Sequence, residues 1–120
     1  MVQPSSTAYQ PALSEAGVLG SRCTSCERTA APATPRCPWC GARSEDTSFP
    51  ARGSVWSSTV VHIDVGARKP PYALAYVDLD GGPRVLTLLS RPEGLPHGTR
   101  VHLIPIEDPS AWAQAEEASA

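Results

Sequence analysis

The chain has 120 residues, 41% of them apolar, thirteen prolines and a formal net charge of −2. That length makes one domain of ordinary size or two very small ones. No stretch nears the ~20 apolar residues of a membrane span, the acidic balance argues against a nucleic-acid binder, and a proline content above the usual ~5% argues against a helical bundle.

Residues 1–17 read as an N-terminal arm. The opening "MVQPSSTAYQPALSEAG" lacks the basic start and apolar run of a secretory signal. The expected location is therefore cytoplasmic, where thiols stay reduced. Within "ALSEAGVLG" one helical turn is expected to stop at Gly17, and Val18 and Leu19 lead on as a short strand. Residues 18–44 hold all four cysteines. "SEDTSFPA" (44–51) reads as a polar linker.

From there the texture turns to β-branched residues, and residues 50–106 form the second domain. "GSVWSSTVVHIDVG" (53–66) is a long strand, "YALAYVDL" (72–79) a second and "RVLTLLS" (84–90) a third, with the Asp-Gly turn "DGGP" between the last two. "TRVHLIPI" (99–106) is the fourth. Alternation puts Val55, Val61, Ile63 and Val65 on one face of the first strand, and Trp56, Ser58, His62 and Asp64 on the other. In 72–79 neither face is polar: Tyr72, Leu74 and Tyr76 oppose Ala73, Ala75, Val77 and Leu79. Short apolar strands with Gly-rich turns suggest a small barrel, and the five-stranded OB barrel fits the size. Only four strands are visible, so the first is expected to bend at Ser57–Ser58 and serve two sides. Residues 107–120 read as a helical tail: Asp108 caps it, Pro109 suits its first position, alanine dominates and Trp112 docks on something. The fold class is thus mostly β, a four-cysteine ribbon followed by a small OB-like barrel and a short C-terminal helix.

The cysteine pattern is Cys23-x2-Cys26-x10-Cys37-x2-Cys40. Each pair places two sulfurs on one side of a tight knuckle, and two facing knuckles offer a tetrahedron of thiolates. That suits Zn²⁺ as a structural ion with no open coordination position. A segment this short without its own core needs the ~10–16 kcal/mol that metal binding supplies. Gly41 follows the second pair and suits a left-handed turn; Glu27 stands at the matching place after the first. Two other readings use the same residues. A redox disulfide explains one pair and leaves the second idle. A rubredoxin-like iron site uses all four, but only Trp39 supplies nearby aromatic packing. Arg22, Arg28, Arg36 and Arg43 surround the knuckles, as a phosphate patch or as a screen for the negative thiolate cluster.

No catalytic constellation emerges. His62, His97 and His102 stand singly in strands or loops, Asp64, Asp78 and Asp80 flank strand ends and turns, and metal claims every thiol. "DGGP" is a hairpin turn and no phosphate loop.

Four segments together resemble one family. "CTSCERTAAPATPRCPWCG", "GSVWSSTVVH", "PPYALAYVDLDGGPRVLTLL" and "GTRVHLIPI" are similar, in order, to the ribbon and barrel of small zinc-ribbon and OB-fold proteins that accompany thiolase-superfamily enzymes of acyl-CoA metabolism. The resemblance spans about residues 18–106. It implies zinc on Cys23, Cys26, Cys37 and Cys40 and no catalytic residue of the chain's own. It further implies a thiolase-like partner subunit, two copies on that partner's dimer (a heterotetramer), and a contact with acyl-CoA. The partner's reaction would be thiolysis, retro-aldol cleavage or acyl transfer. Alternatives are a nucleic-acid-binding ribbon–OB module, disfavoured by charge, and an iron redox protein. The sequence departs from the family at Glu27 and after Ile106, where an alanine-rich tail replaces an expected further strand.

Overall fold

A computed structural model describes residues 11–64, 69–106 and 111–118. The N-terminal arm up to residue 10, Val65, and the proposed cap at Asp108 and Pro109 lie outside the described residues.

The ribbon is built on one long strand. β1 (Ala12–Ser14) turns back through Glu15 and Ala16 onto β2 (Gly17–Cys23). A hairpin thus replaces the expected helical turn. Gly17 is left-handed, and a side chain there would run into the Phe49 carbonyl, so the turn closes only on glycine. β2 also carries the short β3 (Thr29–Ala30) and, along its length from Val18 to Cys23, β4 (Ser44–Phe49). The "polar linker" is therefore mostly a strand. Its outward side chains are polar because they face water, and its backbone is satisfied by β2. Phe49, at its end, is buried.

Five further strands close a barrel: β5 (Arg52–Val61), β6 (Tyr72–Leu79), β7 (Arg84–Leu89), β8 (Arg100–Ile104) and β9 (Gln114–Glu117). Their order is β5-β6-β7-β9-β8, with β8 returning to β5. β5 serves both sides as expected, pairing with β8 through Arg52–Ser54 and with β6 over its length. A bulge between Val55 and Ser57 gives the bend and shifts the alternation by one residue. Val55 points inward before it and Val60 packs on the core after it, while Ile63 is 71% exposed. The expected grouping of Val61 and Ile63 with Val55 is corrected by that extra residue.

The C-terminal helix is likewise corrected. Among the described residues the tail is a strand: β9 runs parallel to β7 at Leu88 and Leu89 and antiparallel to β8 from Val101 to Ile104. Alanine favours helix, but here the barrel lacked one strand and its interior admits only small side chains at that point. Ala113 and Ala115 are fully buried, and Gln114 and Glu116 alternate with them on the outer side. Trp112 sets the entry: its indole Nε1 donates to the Leu86 carbonyl at 2.8 Å.

The core is continuous. Ala73, Ala75, Val77 and Leu79 of β6 meet Val85, Leu89, Val101, Leu103 and Ala115, and the same cluster takes in Val18 and Phe49 from the ribbon sheet. Gly82 makes the junction, since a Cβ there would sit 2.7 Å from the Phe49 ring. Arg22 spans it as well, donating to the Gly81 carbonyl at 3.4 Å.

Candidate functional site

Cys23 ends β2, and the chain turns at once so that the Cys23 amide donates to Arg28 O at 2.9 Å. The second knuckle repeats this: the Cys37 amide donates to Ala42 O at 2.8 Å and the Gly41 amide to Cys37 O at 3.0 Å. Both turns need one left-handed residue. It is Gly41 (φ 78°) in the second knuckle and Glu27 (φ 64°) in the first. Glu27 thus adopts the conformation that glycine takes at the matching place.

The structure brings all four thiols together. Their sulfurs lie within 4.8 Å of one another, with Cys23 and Cys40 at 3.4 Å and Cys26 and Cys37 at 3.6 Å. A tetrahedral ion with ~2.3 Å metal–sulfur bonds spaces its ligands at about 3.8 Å by geometry, so the cluster fits a tetrathiolate centre. Backbone amides aim at the sulfurs: Ser25 and Cys26 N–H at Cys23 Sγ, and Trp39 N–H at Cys37 Sγ. The Cys26 and Ser25 amides pull the Cys23 thiol down to about 6. The Arg28 amide lowers Cys26, but desolvation of its sulfur within the cluster and its three thiol neighbours outweigh that and push it up to about 11. Cys23 and Cys26 thus hold their protons unequally, and a dication among the four sulfurs would favour the thiolate form. Cys23 and Cys37 are buried, Cys26 and Cys40 exposed.

The barrel's outer face forms a second feature. Trp56, Tyr76 and Leu86 are each about 45% exposed and stand next to one another on β5, β6 and β7. Trp56 and Tyr76 meet edge to face at 6.1 Å. The Arg84 guanidinium lies 3.8 Å from the Trp56 ring centre and forms a two-pronged pair with Asp78 at 2.7 and 3.2 Å. The double apolarity of 72–79 signals this face, and alternation sets Trp56 on the side of β5 opposite Val55. The stacking of Arg84 on Trp56 has no local sequence signal; it arises because Asp78 and Arg84 sit directly opposite across the hairpin.

The single histidines are structural or surface groups. His97 Nδ1 lies 2.8 Å from the Trp56 carbonyl, His102 lies 3.7 Å from Glu116, and His62 is exposed. None approaches the thiol cluster to join a described metal-ligand group.

A four-cysteine ribbon fused through a common core to a closed five-stranded barrel defines a ribbon–OB class of protein. Residues 47–103, most of the barrel, match the family described as "ChsH2, C-terminal OB-fold domain", and this segment is of that OB-fold family. Over 78 residues it is 36% identical to a DUF35 domain-containing scaffold protein of Pyrococcus furiosus, a match that takes in 61% of this chain and 57% of that protein. The chain thus spans little more than half the length of this curated relative. A solved structure described as an Ltp2-ChsH2(DUF35) aldolase holds a chain that superposes with a TM-score of 0.71 at 26% identity, covering 98% of both chains. A DUF35-family protein of unknown function from Sulfolobus solfataricus shares the fold, with a TM-score of 0.60 at 19% identity over 83% of this chain and 75% of that one. Among the described residues no helix is long and apolar enough to cross a membrane.

Proposed function

We propose that this chain is a non-catalytic accessory subunit. In this reading it binds a thiolase-like enzyme, two copies on that enzyme's dimer, and supports its acyl-CoA chemistry in the cytoplasm. The observation that carries the proposal is the end-to-end likeness to a chain of the Ltp2-ChsH2(DUF35) aldolase. The relative from Pyrococcus furiosus, named a scaffold protein, points the same way. The exposed Trp56–Tyr76–Leu86 face agrees with it, since large apolar patches on small domains mark partner surfaces.

Zn²⁺ on Cys23, Cys26, Cys37 and Cys40 is the metal this reading assigns. The ion would hold the two knuckles and do no chemistry, because four thiolates fill its coordination. The site residues are therefore structural. Catalytic groups would belong to the partner, whose thiolysis, retro-aldol cleavage or acyl transfer this chain would enable by completing a folded complex.

Co-expression with a thiolase-like subunit from the same genome tests the proposal. The expected result is a stable heteromer with activity that neither chain shows alone. Turnover of acyl-CoA by the isolated chain, abolished by a point mutation within it, overturns the accessory role. A second reading, a nucleic-acid module, draws on the exposed aromatic pair beside arginine, the elements of a base-stacking platform. It prevails if the isolated chain retains single-stranded DNA or RNA at physiological salt and binds no thiolase-like subunit.

A further inference from the structure

Three surface hollows lie in a row and share walls. The first, about 300 Å³, is bounded by Trp56, Thr59, Leu74, Tyr76 and Leu86. The second, also about 300 Å³, shares Leu74 and Leu86 with it and adds Leu88, Ala31 and Trp112. The third, about 660 Å³, shares Ala31 and Arg84 with the second and crosses to the ribbon at Arg22, Arg28 and Trp39. The row is thus a continuous belt from the outer face of the barrel to the first knuckle.

Its character changes along its length. At the barrel end the walls are aliphatic and aromatic with a few hydroxyl side chains, and the cation that lines them, Arg84, is neutralised by Asp78. At the ribbon end two guanidinium groups face the groove. Barrel arginines 52, 84, 91 and 100 each pair with a carboxylate. Arg22 and Arg28 have no carboxylate partner among the described residues: Arg22 reaches the backbone oxygens of Glu27 and Gly81, and Arg28 lies 5.4 Å over the Trp39 ring. Glu27 lines the same groove but pairs with neither.

We infer that this belt seats one segment of the partner protein, with two bulky apolar side chains in the first two hollows and carboxylates against Arg22 and Arg28. The inference rests on the accessory-subunit reading and gives it a surface, a direction and a partner chemistry. A protein is favoured over a small ligand because all three hollows are open to solvent. Such hollows cannot enclose most of a ligand's surface, whereas Trp, Tyr and Arg on an open face are the residue types that anchor protein partners. Strand addition is disfavoured at the centre of this face, because β6 already lies between β5 and β7 and the end of β7 is joined to β9 at Leu88 and Leu89. The contact is made by side chains entering hollows.

The experiment uses the full-length chain and the co-expressed thiolase-like subunit, with affinity measured across a salt series. Leu86→Asp should weaken binding by about 30-fold or more, the size of a hot-spot loss. Leu86→Gln serves if the charged variant unfolds. Arg22→Glu with Arg28→Glu should weaken binding about tenfold and flatten its salt dependence, whereas Arg43→Glu, outside the belt, should keep wild-type values. A complex that forms with undiminished affinity in the belt variants overturns the inference and leaves the accessory role standing. Failure of the wild-type chain to bind overturns both. Palmitoyl-CoA and a thymidine 20-mer are titrated into the isolated chain in parallel. Saturable binding of either that is lost in the arginine variant, while the complex is unaffected, makes the belt a ligand groove and also overturns the inference.

Discussion

Glu27 holds a left-handed backbone (φ 64°) where the second knuckle uses Gly41 (φ 78°). A non-glycine residue there costs ~1–2 kcal/mol, while glycine loses ~0.5–1 kcal/mol more chain entropy on folding. Glu27→Gly is therefore expected to stabilise the metal-loaded protein by about 0.5–1 kcal/mol, seen as a raised thermal midpoint. A lowered midpoint would mean that the glutamate side chain has a favourable role the backbone does not reveal. Cys37 is the buried sulfur of the second knuckle and accepts from the Trp39 amide at 3.4 Å. Cys37→Ser should remove a ligand and lose most of the metal affinity. Elemental analysis of the purified wild type should find about one zinc per chain, and the variant should yield its ion to a chelator far more readily. Iron in the wild type, or a folded metal-free protein, contradicts the zinc assignment.

β9 is the element on which the barrel depends and whose composition least announces it. Ala115 of β9 and Ala113 just before it are fully buried, so Ala115→Leu should overpack the interior and cost about 1–3 kcal/mol in denaturant unfolding. Removing everything after Ile106 takes away β9, exposes the edges of β7 and β8 and should abolish a single cooperative transition. A truncated chain that melts as sharply and as high as the parent would show that four strands suffice. The β5–β6 pairing rests on Gly53, where any side chain would strike the Asp78 carbonyl. Gly53→Ala is accordingly expected to be poorly tolerated even though alanine is the smallest possible addition.

The two halves of the molecule act as one body because Phe49 of the ribbon sheet fits against Gly82 of the barrel and joins its core. The barrel's own seam is closed by charge. Arg100 reaches Asp80 at 2.8 and 2.6 Å and also donates to Ser54, while Arg52 lies 3.7 Å from the same carboxylate. Hydrogen bonds from Arg100, helped by its charge and that of Arg52, hold the Asp80 carboxyl below its ordinary 3.8. A carboxyl with a lowered folded-state value binds its proton less readily than in the unfolded chain. Its stabilising contribution is full above that ordinary value and disappears as the pH falls through the lowered one. Asp80→Asn should thus lower the thermal midpoint at neutral pH and flatten its decline in acid. Both groups are partly exposed, so the effect should be modest and should shrink with salt.

The cysteine spacing by itself specified four converging thiols, because each two-residue gap can close only a tight knuckle. The strands at 72–79 and 84–89 were equally legible: two short apolar runs joined by the Asp-Gly turn leave few other arrangements. What the sequence could not settle were segments whose conformation is imposed by a neighbour. Residues 44–49 look like a linker because a solvent-facing strand keeps polar side chains, and only β2 reveals it as β4. The tail looks helical because alanine favours helix locally. A gap between β7 and β8, which no local window contains, makes it a strand. The bulge at Trp56 adds one residue to β5, and that extra residue decided which side chains turn outward. The belt running from Trp56 to Arg28 exists only because nonlocal pairing sets the barrel face beside the ribbon.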